Sequence, residues 1–166
     1  MRKKILLFGN KLDININLIN IPPKIFLKND SIEIYVNKEF LSENNKKKFE
    51  KFINNFLKEK LMLIVKEIVK KWEEILNVKV DNIKIRKMKR RWGTCYYKKN
   101  TIILNFKLHE KLIESIEYVV VHEMIHLIIH NHSKTFYSYM SKYLPNWKKL
   151  KYELNELNYL KNFNKS

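Results

Sequence analysis

Two histidines four residues apart, with a glutamate directly after the first, constrain this chain more than any other stretch. They lie in the apolar run Val121-His122-Glu123-Met124-Ile125-His126. On an α-helix each residue advances about 100°, so positions four apart sit roughly 40° apart on one face. His122 and His126 can then point the same way, with Glu123 beside them. The neighbouring residues argue against a helix, because Val119-Val120-Val121 and Ile128-Ile129 are β-branched and favour strands. The histidine spacing decides for a helix from about Ile113 to His130. A helix apolar on nearly every side must be a central, buried element, and the rest of the chain has to cover it.

The same spacing suits a metal ion. A zinc ion held by neutral imidazoles and left with one open position lowers the pKa of its water to about 7, and a carboxylate next to it can take the proton. Glu123 is the candidate for that carboxylate, and His122 and His126 are two candidate ligands. His130, His132 and His109 compete to be the third. His130 continues the stripe, but along a straight helix it sits roughly 12 Å from His122, too far for both to reach one ion at about 2.1 Å. His132 can ligate only if the chain turns. Asn131 is a residue type that adopts the left-handed conformation ending a helix, and Ser133 can cap the next, so the geometry favours His132. A downstream glutamate is the alternative third ligand. The competing explanation of the cluster is a set of satisfied core histidines.

The remaining chain reads as a small sheet, a long helix, more strands and a final helix. Residues 3 to 8 and 11 to 18 flank Gly9-Asn10, which predicts a two-residue hairpin of the Gly-first type. Leu12, Ile14, Ile16 and Leu18 alternate with polar residues, and Ile32, Ile34 and Val36 form another short strand after Pro22-Pro23. From Glu43 to Leu76 the apolar period changes to threes and fours, which predicts a long helix, either whole or broken in two. Residues 82 to 88 alternate as a strand, Arg91 to Cys95 reads as a turn, and Thr101 to Phe106 is a compact β-branched strand. That last strand is either an exposed sheet edge able to take an extended peptide or an ordinary buried strand. After Pro145, Trp147, Leu150, Leu154, Leu157 and Leu160 are spaced as an amphipathic helix.

At 166 residues with 45% hydrophobic content, the chain can bury one core, so a single α+β domain is expected. Its regions are an N-terminal β region (1–40), the long helix (43–76), a core containing the histidines (82–147) and a C-terminal helix (148–166). Four apolar residues, Ile5 to Phe8, are too few for a signal peptide, no run is long enough for a membrane span, and the single Cys95 cannot form an internal disulfide. These features point to a cytoplasmic location with no membrane partner. The net charge of +17 would ordinarily suggest nucleic acid. Against that, only four of the 34 basic residues are arginine, asparagine occurs 20 times, and alanine and glutamine are absent, which is the mark of a compositional bias. A nucleic-acid partner stays open as an alternative, since Arg is the preferred reader of phosphates and bases and is scarce here.

Four motifs in order carry a family resemblance. They are Arg91-Trp92-Gly93-Thr94-Cys95, then Ile103-Leu104-Asn105, then Tyr118 through His126, then Asn131-His132-Ser133-Lys134-Thr135-Phe136. Across residues 82 to 147 the chain resembles the YgjP-like metallopeptidase domain, whose pattern is approximately R-W-G-S-C, I-x-L-N, Y-V-V-x-H-E-L-x-H and N-H-S-x-x-F. Where that family often has proline before the histidine helix, Leu112 and Ile113 stand here. The resemblance implies a zincin-like α+β fold, with a small mixed sheet packed against a long helix and a central active-site helix. It also implies Zn2+ on His122, His126 and His132, Glu123 as the catalytic carboxylate, and peptide or protein substrates. The related SprT-like and WLM metalloproteases include members that act on proteins crosslinked to DNA, so a DNA-associated protease is one alternative. A non-catalytic zinc-binding module is another, although a structural site would normally close its fourth position with a further Cys or His.

Overall fold

The computed structural model describes residues 3–163, with side chains described as far as Glu156. Strands β1 (Lys4–Leu7), β2 (Asn10–Leu18), β3 (Lys24–Leu27) and β4 (Ser31–Val36) form a mixed sheet in the order β1-β2-β4-β3, with β2 and β4 parallel. The first hairpin forms as expected, but its turn is shifted by one residue. Leu7 pairs with Asn10, so the loop is Phe8-Gly9, and both residues have positive φ (49° and 82°). Both central residues on the left-handed side make a type I′ turn in place of the Gly-first type. Phe8 accepts this conformation because its ring packs into both core clusters and its N–H donates to the His109 carbonyl at 2.7 Å. A side chain at Gly9 would run into Leu112. The hairpin tip is thereby seated on the chain that leads into the histidine helix.

The alternation of β2 is real but only partly covered: Leu12 is buried and Ile14 half-buried, whereas Ile16 and Leu18 are exposed. The edge strand β3 has no counterpart in the sequence reading, since four residues after Pro22-Pro23 give too short an alternation to register. Ile32, Ile34 and Val36 of β4 lie against Phe56 and Leu57 in one core cluster.

Those two residues belong to α1 (Lys46–Leu76), a single unbroken helix of 31 residues preceded by two short 3-10 turns. At a rise of about 1.5 Å per residue it is roughly 46 Å long, enough to serve two cores. Its first half covers the N-terminal sheet. Its second half, from Leu61 to Leu76, covers the histidine helix. Asn77 ends it in the left-handed conformation, with its N–H donating to the Glu73 carbonyl.

The second sheet contains β5 (Asn82–Arg86), β6 (Gly93–Tyr96) and β7 (Thr101–Asn105) in the order β5-β7-β6. One expectation is corrected here and one open alternative is decided. The segment expected to be a turn, Arg91 to Cys95, is instead largely strand. Gly93 to Tyr96 pair antiparallel with Leu104 to Thr101. The Thr101 strand is central and buried at every position, so it is the buried strand of the two alternatives, and β5 and β6 are the edges. The unbroken β-branched and apolar run Thr101 to Leu104 is what a strand covered on both faces requires.

The histidine helix α2 runs Ile113–Ile125 and is the buried centre of the larger core, in contact with α1, β6 and β7. Leu112 stands at its N-cap with φ −58°, the value proline would impose, so the missing proline leaves the helix start unchanged. Helices α3 (Lys134–Tyr143) and α4 (Trp147–Phe163) complete the fold. Ser133 caps α3, its Oγ accepting from the Phe136 N–H. Trp147, Leu150 and Leu154 of α4 are buried; Leu157 and Leu160 lie outside the described side chains. Among the described residues, no helix is long and apolar enough to cross a membrane.

Candidate metal centre

Helix α2 stops five residues short of His130. The turn begins at His126, where Leu127 and Ile128 donate to the carbonyls of Met124 and Ile125 and Ile129 donates to Ile125 as well. The β-branched pair Ile128-Ile129 opposes helix more effectively at an open end than Val119-Val120-Val121 does in the packed middle. Asn131 is not left-handed; among the described residues outside glycine only Phe8, Asn77 and Asn100 have positive φ. The reversal that carries His132 back is therefore spread over residues 126 to 131.

The result is convergence of three rings. The Nε2 atoms of His122 and His132 are 3.0 Å apart, and those of His126 and His132 are 3.1 Å apart. All three residues offer a ring nitrogen within 4.8 Å of the other two. For four tetrahedral ligands at about 2.0–2.1 Å, the nitrogens should lie about 3.3 Å from one another, so the cluster already has nearly the geometry an ion requires. His126 is oriented by its other nitrogen. Nδ1 lies 2.9 Å from the Ile129 carbonyl, which can only accept, so Nδ1 carries the proton and Nε2 presents its lone pair. Burial lowers the pKa of His122 to about 3, helped by His126, His132 and Lys151, and burial likewise lowers that of His126. Both are therefore neutral near pH 7, the protonation state that a ligand needs.

Phe136, fully buried, supports all three rings, with centroids 4.8, 4.6 and 4.9 Å from those of His122, His126 and His132. It holds the cluster's shape without offering a donor. His130 is left out of the group and stacks instead on Tyr97, rings 3.6 Å apart and 10° from parallel. Rise along a straight helix is thus not what removes it, since the helix has ended. His109 is also elsewhere, buried with Nδ1 2.7 Å from the Phe106 carbonyl.

The cluster opens into a cleft of about 560 Å³, lined by β6, α2 and α4 and including Arg91, Tyr118, Glu123 and Lys151. Glu123 is only 6% exposed. Burial pushes its carboxyl up to about 8, with the Arg91 guanidinium pulling the other way. Gly93 makes room for it. A Cβ there would lie 2.7 Å from Glu123 Cγ and 2.8 Å from Oε1, so the motif's glycine is needed for space, not for backbone freedom. Gly93→Ala should displace the carboxylate by a fraction of an ångström to an ångström, which costs about 100-fold in turnover, while metal content and melting temperature stay near wild type. Steady-state kinetics beside metal analysis checks this.

Among side chains able to donate to a developing oxyanion, Arg91 lines the cleft, whereas Tyr137, Tyr139 and Arg90 do not. Tyr118, which sequence reasoning missed, does line it. It stands one turn before His122, and its hydroxyl makes no hydrogen bond among the described residues yet is not sealed from solvent. Its signal was the same four-residue spacing that finds His126. Burial raises its pKa to about 12, so it remains a donor. Cys95 also lines the cleft, and burial with Glu123 nearby pushes its thiol up to about 12, which favours the uncharged form.

No curated protein is found to match the chain. Among solved structures it is similar to the metallopeptidase zymogen abylysin of Pyrococcus abyssi, with 23% identity and a TM-score of 0.51 over 54% of this chain and 90% of that one. It is also similar to the metallopeptidase zymogen jannalysin of Methanocaldococcus jannaschii, with 26% identity and a TM-score of 0.50 over 55% of this chain and 88% of that one. The first of these likenesses is one of fold, and it agrees with the zincin-like α+β class expected from the motifs. The model of the YgjP-like metallopeptidase domain matches residues 2–157, from the first strand through the histidine cluster into α4, and the chain belongs to that metallopeptidase family.

Proposed function

We propose that this metallopeptidase is zinc-dependent, with His122, His126 and His132 as the ligands and Glu123 as the general base of peptide hydrolysis. The convergence of three imidazoles beside the buried Glu123 side chain carries the reading. The donor set fits the ion: three nitrogens with no fourth side chain in the group among the described residues, which leaves Glu123, next to His122 in sequence, outside it. When bound, zinc supplies a Lewis acid and a water far more acidic than bulk water. Burial alone favours the protonated Glu123 carboxyl, and the charge of a bound ion would favour the ionised form. In that form Glu123 accepts a proton from the attacking water and delivers it to the departing amide nitrogen, so no covalent intermediate with the chain is needed. Tyr118 and Arg91, which line the cleft, would donate hydrogen bonds to the oxygen that gains negative charge. The open edge of β6 offers main-chain groups to an extended peptide, which would lay the scissile bond across the cluster.

The test is reversible metal removal. Cleavage of a broad peptide mixture, followed by mass spectrometry, should vanish on chelation and return with one equivalent of zinc. A zinc-loaded chain that cleaves nothing, or a chelated chain that cleaves normally, contradicts the proposal.

A further inference from the structure

Beside the cleft lies a second, smaller cavity of about 140 Å³ with a different lining. Lys89, Arg90, Arg91 and Lys107 contribute four cations to it and no acidic residue contributes at all. It shares Arg91, Trp92 and Asn155 with the cleft. We propose that this cavity is an anionic subsite that receives an acidic side chain of the peptide substrate. The inference rests on the peptidase reading above and adds to it the substrate class.

Four observations converge on it. The first is composition. Lysine fills solvated surface throughout this chain, but three of the four arginines, Arg86, Arg90 and Arg91, fall within six residues at this one place. The guanidinium fork matches a carboxylate with two parallel hydrogen bonds, which an ammonium cannot do. The second is charge balance, because none of the four cations takes part in a salt bridge among the described residues; the pairs that exist are at Lys4, Lys71, Lys79 and Lys149.

The third is rigidity. Asn105, 4% exposed, donates to the carbonyls of Met88 and Arg91 at 2.9 and 2.8 Å, and its own N–H donates to the Trp92 carbonyl at 2.8 Å. The backbone carrying the cations is therefore fixed before any ligand arrives, which lowers the ordering cost of binding. The fourth is position. Three of the four cation-bearing residues, Lys89, Arg90 and Arg91, immediately precede β6, whose Gly93 packs on Glu123, and Lys107 follows the neighbouring strand β7. The cavity shares Arg91, Trp92 and Asn155 with the cleft, so it adjoins the path of an extended peptide, which advances about 3.3 Å per residue. A space of this size takes one or two carboxylates and not the backbone of a nucleic-acid duplex.

The experiment compares two fluorescent peptides identical except for Glu-Asp against Gln-Asn near the cleaved bond. Their binding is titrated by anisotropy to zinc-loaded protein carrying Glu123→Gln, which prevents turnover. At low salt the acidic peptide should bind about tenfold tighter, as expected for hydrogen bonds between charged partners, and the advantage should shrink as salt rises. Adding Lys89→Gln and Arg90→Gln should reduce it to about twofold or less. Adding Lys66→Gln and Lys70→Gln on α1, the same loss of charge elsewhere, should leave it intact.

Equal binding of the two peptides overturns the proposal, as does equal loss of preference in the α1 control, which would assign the effect to overall charge. Loss of duplex DNA binding in the loop variant with the peptide preference unchanged would overturn it in favour of nucleic acid. Cleavage by the wild type is followed separately. Cleavage without acidic preference strikes the subsite alone, whereas acidic preference without any cleavage strikes the hydrolytic reading and leaves the subsite standing.

Discussion

Glu123→Gln is expected to bind zinc as tightly as the wild type and to lose peptide hydrolysis by about 10³-fold or more. The substitution keeps the shape of a side chain packed against Gly93 and removes only its capacity to accept a proton. General acid–base groups are worth about 10²–10⁴-fold, and this carboxylate would act twice, once on water and once on the leaving nitrogen. The cost should fall on kcat with little change in KM, because the residue is proposed to act on the reacting atoms and not on the rest of the peptide. Full activity in the variant would remove Glu123 from the mechanism.

His132→Ala is expected to have the second large effect, through a different quantity. His132 links the cluster, since its Nε2 is the atom within 3.1 Å of both other imidazoles. Without it two ligands remain, and zinc affinity should fall by at least about 100-fold, more than the 10- to 100-fold that loss of a ligand's outer partner costs. Activity should follow metal content and recover in part at high added zinc. His130→Ala should not reproduce the effect, because that ring is held on Tyr97, outside the cluster. The two variants separate a requirement for the third ligand from a general sensitivity of the turn between α2 and α3.

Much of this site is written in local spacing. Residues four apart on a helix share a face wherever the helix sits, so His122 and His126, and Tyr118 one turn earlier, were open to inference before any tertiary structure was known. The long period of α1 and the apolar run of β7 are legible for the same reason. What local reasoning mistakes is set by contacts distant in sequence. The turn at Phe8-Gly9 is chosen by packing on His109, Glu110 and Leu112, a hundred residues away. Arg91 to Cys95 looks like a turn because of its glycine, yet Gly93 is there to clear Glu123, thirty residues on. The early end of α2 depends on Ile129 reaching back to His126, a bond that competes with helix only once the ring is placed. His132 was reached from sequence by way of an Asn131 conformation that does not occur, so the ligand expected was the residue that converges, although the turn proposed for it was not the turn formed.

The basic loop between β5 and β6 illustrates the opposite case. Its charge is visible in the sequence but is lost in a chain of net charge +17. Only its position beside the cleft, and Asn105 beneath it, distinguish it from the lysines of α1.

The central claim is that one zinc ion sits on His122, His126 and His132 with Glu123 free to act as a base. Zinc per chain, measured by elemental analysis after dialysis against a weak chelator, tests it most directly when wild type, Glu123→Gln and His132→Ala are run together. The account predicts about one zinc in the first two and near none in the third. Full zinc in His132→Ala, or zinc lost from Glu123→Gln, would contradict it.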